Sequence, residues 1–152
     1  MNSNLVLKRV SELSNLTNRQ IANVFKKANK KLTSAEVDLW LIPDDSPNHQ
    51  KLSDEDLSIF LNGLIVHLRG PREDGSIPEP DKKLDNNIIF KKLKIAFEVQ
   101  TDEIPTLFRS INRRITKNEV ASFLRGAQHA QYREIKDQYL RNFLSALKKR
   151  AS

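Results

Sequence analysis

The chain has 152 residues, 30% charged and 38% hydrophobic, with 26 Lys and Arg against 19 Asp and Glu for a formal net charge of +7. Cysteine is absent, which excludes disulfides, thiolate metal sites and cysteine catalysis together. No stretch approaches the roughly 20 apolar residues of a membrane-spanning helix, and Met1 to Val10 lacks the apolar core of a secretory signal, so a soluble, cytoplasmic protein is expected.

The first predicted element is a helix over Leu5–Leu13, with Asn4 ahead of it as N-cap. A second helix carries Ile21, Val24, Phe25 and Ala28, the spacing of a half-buried stripe, behind the capping box Thr17-Asn18-Arg19-Gln20. A third opens with the capping box Thr33-Ser34-Ala35-Glu36 and buries Val37, Trp40 and Leu41. A fourth begins with the acidic run Asp54-Glu55-Asp56, which suits a helix N-terminus, and carries Leu57, Phe60, Leu61 and Leu64. Gly63 interrupts that last stripe, where a small residue lets another helix approach closely. Gly70 to Asp85 holds two of the four glycines and three of the six prolines and reads as a linker or ordered loop.

After the linker the same elements recur. Shifted by 83 positions, the chain aligns on itself without a gap from Asn4/Asn87 to Leu64/Leu147, with identities such as Phe25/Phe108, Asn29/Asn112, Thr33/Thr116, Glu36/Glu119 and Phe60/Phe143. The second copy therefore predicts helices behind Asn87, around Ile104–Ile111 with Pro105 in the first turn, behind the capping box Thr116-Lys117-Asn118-Glu119, and along Leu140–Leu147 into the basic end Lys148-Lys149-Arg150. Strand signals are missing throughout. The expected fold class is all-α, a tandem duplication of a four-helix module packed into one compact unit. Its divisions are repeat one at 1–69, a Gly/Pro-rich linker at 70–85 and repeat two at 86–152. A module of about 60 residues buries only a modest core, so the copies are expected to pack together, or the protein to homodimerise.

Three stretches resemble the signatures of a known family: Phe60-Leu61-Asn62-Gly63-Leu64-Ile65, the run from Asn86 and Asn87 through Phe97, and Asp137-Gln138-Tyr139-Leu140-Arg141-Asn142-Phe143-Leu144. In these the chain is similar to the YehS-like bacterial proteins, which are short, cytosolic and carry two copies of a domain of unknown function. Copy one departs most, keeping one asparagine at Ser3-Asn4 where copy two keeps a pair. The resemblance implies architecture and a bacterial cytosolic setting, and it brings no catalytic residues.

The residues offer no reaction either. His49, His67 and His129 stand apart from any metal-ligand spacing, and Asp44 and Asp45 in a Pro-flanked loop have Ala127 and Gln128 as counterparts. The glycines are too scattered for a phosphate loop. Neither enzymatic activity nor a cofactor or metal site is expected.

Charge is the strongest functional signal. Repeat one holds nine basic against eight acidic residues, the linker three against five, and repeat two fourteen against six, or +8. Five positions are basic in both copies: Lys8/Lys91, Arg9/Lys92, Lys26/Arg109, Lys30/Arg113 and Lys31/Arg114. Positions 26 and 30, like 109 and 113, are spaced to share a helix face. The candidate nucleic-acid-binding residues are Lys91, Lys92, Lys94, Arg109, Arg113, Arg114 and Lys117, with Lys30 and Lys31 from copy one. Clustered cations suffice to hold a phosphate backbone. Acids near the start of helix three (Glu36, Asp38, Glu119) argue against reading bases in a major groove. The expected partner is thus RNA or DNA backbone without sequence specificity, with Tyr132 and Tyr139 as the best available stacking side chains. The alternative is an adaptor that binds an acidic protein or self-associates, which an exposed apolar patch beside the basic field would favour.

Overall fold

A computed structural model describes all residues, Met1–Ser152, and contains helices only. The elements are α1 (Ser3–Leu13), α2 (Asn18–Lys27), α3 (Ser34–Leu41), α4 (Asp54–Arg69), α5 (Asn86–Ala96), a 3-10 turn (Thr101–Glu103) running into α6 (Ile104–Arg109), α7 (Lys117–Leu124) and α8 (Asp137–Ala151). None is long and apolar enough to cross a membrane. The chain divides into two compact units, Met1–Leu84 and Asp85–Ser152, one per repeat.

Local chemistry places most helix starts where the sequence predicts them. Thr17, Thr33 and Thr116 each accept the amide three residues on, while Gln20, Glu36 and Glu119 reach back to the cap amide. Helix ends follow a second rule. Asn15, Asn29, Glu98 and Asn112 lie at φ of 54°, 67°, 53° and 58°, the left-handed region that Asn tolerates better than most residues. One residue beyond each, an amide returns to a carbonyl five residues back, as from Lys30 to Phe25 (3.1 Å) and from Arg113 to Phe108 (2.9 Å). These turns end α1, α2, α5 and α6 and reverse the chain towards the next element.

The expected N-caps at Asn4 and Asn87 are not caps. Asn2 and Asp85 fill that role, accepting from the amides of Leu5 (3.2 Å) and Ile88 (2.8 Å). Asn4 and Asn87 are the second residues of their helices, 7% and 3% exposed. Asn4 Nδ2 donates to the carbonyls of Trp40 and Gln50, each at 2.9 Å, and its Oδ1 accepts from the Leu52 amide at 2.9 Å. Asn87 repeats the pattern with Phe123 (3.1 Å), Arg133 (2.8 Å) and Ile135 (2.9 Å). A single amide side chain supplies both donors and an acceptor, so each Asn ties the loop after the third helix to the first. Backbone groups drawn into a core need such partners.

The cores are aromatic. Phe25 packs between Trp40 and Phe60 at centroid distances of 5.3 and 5.6 Å, and Phe90 packs on Phe143 at 4.6 Å. Gly63 does allow a close approach: a Cβ there would lie 2.1 Å from the Val24 carbonyl oxygen of α2. Its counterpart Ala146 is fully buried opposite the shorter α6. The later part of the linker is an ordered strap along α4. Ser58 Oγ donates to Asp81 Oδ2 and accepts from the Asp81 amide, both at 2.8 Å, and the Leu84 amide donates to Asp54 Oδ2 at 2.9 Å.

Candidate nucleic-acid interface

In the second unit, α6 ends at Arg109 and the chain turns through Asn112 to start α7 at Lys117. Arg109, Arg113, Arg114 and Lys117 are all exposed along this short path. A carboxylate pairs with none of them; Arg109 donates to the Thr106 hydroxyl at 3.1 Å. The end of α8 reaches the same place, because Lys149 Nζ donates to the Ser110 carbonyl. Arg150 approaches Glu103 at 3.9 Å. Cations from α6, the turn, α7 and α8 thus gather at one corner of the unit. Lys149 was not among the sequence candidates: its run of cations reads locally as compensation for a helix dipole, and only the α6–α8 contact brings it here.

The expectation that residues 26 and 30, or 109 and 113, share a helix face is corrected. Lys26 and Arg109 belong to helices, but Lys30 and Arg113 follow the left-handed Asn and point from the turn. The first-unit candidates also differ in electrostatic state. Lys30 Nζ pairs with Asp56 Oδ1 at 2.7 Å, their side chains 35% and 22% exposed, whereas Lys31 is exposed. Asp56 corresponds to Tyr139, so the second unit has no carboxylate to hold Arg113. The same exchange recurs across the repeat. Glu12, Asp38, Asp44, Asp45, Glu55 and Asp56 give way to Ile95, Ala121, Ala127, Gln128, Gln138 and Tyr139. The basic balance of the second copy comes from lost acids as well as gained bases.

Tyr139 is not a free stacking platform. Its ring packs against Phe123 at 5.4 Å and Phe108 at 6.4 Å, and its hydroxyl donates to Glu119 Oε2 at 2.6 Å. That bond, with the Thr116 amide, holds the Glu119 carboxyl below its ordinary value, and the same bond with burial raises the Tyr139 phenol. Tyr132 is half-buried, its phenol raised by burial and then by Asp85 and Glu134.

The lysines of α5 lie elsewhere. Lys91, Lys92 and Lys94 are half-buried, and Lys91 Nζ donates to the Arg125 carbonyl at 3.3 Å, beyond the far end of α7 from Lys117. Eight helical residues separate those ends by about 12 Å. Beside these lysines Ile95 is 54% exposed. The sequence candidates therefore resolve into a compact corner at α6–α7, a separate α5 stripe and two first-unit lysines. Elsewhere, no three His, Asp or Glu side chains gather as a cation would require.

Residues 3–70 and 86–151 match the family model described as "Protein of unknown function (DUF1456)", once for each repeat. The chain is similar to the "Uncharacterized protein YehS" of Escherichia coli (strain K12), 35% identical over 147 residues that cover 97% of this chain and 94% of that protein. No solved structure matches.

Proposed function

We propose that this chain, which belongs to the DUF1456 family of proteins of unknown function, is a non-enzymatic cytosolic protein that holds the backbone of RNA or DNA without reading its sequence. The observation that carries the reading is the corner at Arg109, Arg113, Arg114 and Lys117, exposed and ion-paired with no carboxylate, with Lys149 brought beside it. Arginine presents a planar fork that fits a phosphate with two parallel hydrogen bonds. Binding by such a cluster draws on counterion release and is indifferent to base identity. At the start of α7 the Glu119 carboxylate is taken up by the Thr116 amide and the Tyr139 hydroxyl and is not left to accept from base edges.

The test is affinity for mixed-sequence RNA and DNA oligonucleotides across a salt series. Five engaged cations predict a log–log slope of about 3 to 4 on single strands. Changing Arg109, Arg113 and Arg114 together to Glu abolishes binding and leaves helicity by circular dichroism intact. Undetectable binding by the unaltered protein at low salt would overturn the reading.

A second reading rests on Ile95. An exposed β-branched apolar side chain among Lys91, Lys92 and Lys94 suits an acidic protein partner, or a second copy, better than a phosphate chain. Ile95→Asp weakens such an association and leaves nucleic-acid affinity at the α6–α7 corner nearly unchanged.

A further inference from the structure

Comparison of the two repeats at one carbonyl isolates a second site. In the second unit, Lys91 Nζ donates to the carbonyl of Arg125, just past α7. The equivalent carbonyl in the first unit belongs to Ile42, and there the donor is His49 Nδ1 at 3.0 Å. A carbonyl only accepts, so Nδ1 carries the proton and Nε2 stays available. His49 corresponds to Tyr132, and Lys8 to Lys91. Replacement of the tyrosine by histidine thus takes over the task of the lysine, and Lys8 is left exposed.

The released lysine lies on a cleft of about 450 Å³ between α1 and the end of α3. That size falls within the range of small-molecule sites, about 300–1,000 Å³. Leu5, Trp40 and Ile42 supply apolar wall, while Lys8, Asp44 and His49 supply polar groups. Leu5 is 38% exposed although apolar. Asn4 also lines the cleft, but its amide is spent on Trp40, Gln50 and Leu52. The second unit keeps Ile88 and Phe123 where Leu5 and Trp40 stand but has Arg125 and Ala127 in place of Ile42 and Asp44, so the Ile42 part of the wall and the acid belong to the first unit alone.

We propose that this cleft binds a small apolar carboxylate, its anionic end on Lys8 and its hydrocarbon body against Leu5, Trp40 and Ile42. An unpaired ammonium beside a preformed apolar wall matches a monoanion of that shape, and a charge-assisted bond fixes its direction. Asp44 extends the class: an α-amino acid with an apolar side chain presents an ammonium to Asp44 as well as its carboxylate to Lys8. The site is independent of the phosphate-binding corner, which lies wholly in the other repeat.

Trp40 is the single tryptophan of the chain, so its emission reports on this cleft. The full-length protein is titrated with 3-phenylpropionate, L-phenylalanine, and neutral 3-phenylpropionamide. The carboxylates produce a saturable change with a Kd of about 1 mM or tighter, and the amide binds at least about tenfold more weakly, the effect of one charged partner. Tighter binding of L-phenylalanine than of 3-phenylpropionate assigns the ligand to the amino acids, and equal binding assigns it to plain carboxylates. Lys8→Met removes the preference for the charged ligand without loss of helicity. His49→Tyr, which installs the residue of the second unit, returns Lys8 to the Ile42 carbonyl and weakens binding similarly. No saturable change with either carboxylate, or equal affinity for the amide, overturns the proposal. RNA affinity of Lys8→Met stays at the value of the unaltered protein, so this result and the nucleic-acid result fail separately.

Discussion

Replacing Asn4 by Ala removes three hydrogen bonds, each 2.9 Å long, from a side chain that is only 7% exposed. The lost partners differ in consequence. The Leu52 amide belongs to a fully buried bond and loses its only acceptor there; an orphaned buried donor costs about 2 kcal/mol. The carbonyls of Trp40 and Gln50 are part-buried, and about 0.5–1 kcal/mol each is appropriate. Alanine returns roughly 0.5 kcal/mol through better helix propensity. The net loss is about 3 kcal/mol, against a total of roughly 4–12 kcal/mol for a unit of this size. Urea unfolding followed by Trp40 emission isolates the first unit, since the second contains no tryptophan. With a slope near 1 kcal/mol per molar urea, the midpoint falls by about 3 M. Asn87→Ala repeats the loss in the second unit, read by circular dichroism, and leaves the Trp40 transition in place. A fall below about 1 M for Asn4→Ala at unchanged slope refutes the view that this asparagine clamps the loop. Asn4→Asp sharpens the test: it keeps the acceptor but turns a carboxylate towards two carbonyls. Its instability at pH 7 is therefore relieved as acid protonates the new group.

Other perturbations follow from the same contacts. Gly63→Ala places a Cβ against the Val24 carbonyl and displaces α2 from α4, lowering first-unit stability by about 3 kcal/mol in the same urea assay. Tyr139→Phe removes the bond to Glu119. The Glu119 pKa is depressed in the folded state, so its share of stability is present above its ordinary value of 4.5 and is lost as pH falls through the folded value. The Tyr139 pKa is raised, so its share is present below its ordinary value of 10.0 and is lost as pH climbs through the folded value. The melting-temperature gap between Tyr139→Phe and the unaltered protein is thus widest between those limits and narrows outside them. Asp56→Asn releases Lys30 from its ion pair, which contributes about 0.5 kcal/mol at this exposure. Stability barely moves, while the salt slope of nucleic-acid binding steepens by up to about 0.7 if Lys30 then reaches a phosphate.

The helices were legible because their signals are local. A Thr with Gln or Glu three residues later satisfies orphan amides within one turn, and apolar residues at helical spacing form one buried stripe whatever lies opposite. The duplication was legible because identical residues recur at one offset. The small residue at Gly63 likewise announces a close neighbour, although the neighbour is named only by the Val24 carbonyl. Asn4 and Asn87 misled because Asn before an apolar run is a common cap. Nothing local distinguishes that role from a buried amide reaching 36 to 48 residues along the chain.

By itself, then, the sequence determined the helical class, the repeat, the turn chemistry and the excess of cations in the second copy, since each depends on residue identity or on contacts within a few positions. Tertiary structure decided which cations act together. It neutralised Lys30 with Asp56, drew Lys91 onto the Arg125 carbonyl, and brought Lys149 from α8 to the turn holding Arg113 and Arg114. It likewise decided that Lys8 stands free while its twin does not, through one histidine on one carbonyl. Charge is a property of composition, but the field at a surface depends on distances between residues remote in the chain, and only folding sets those distances.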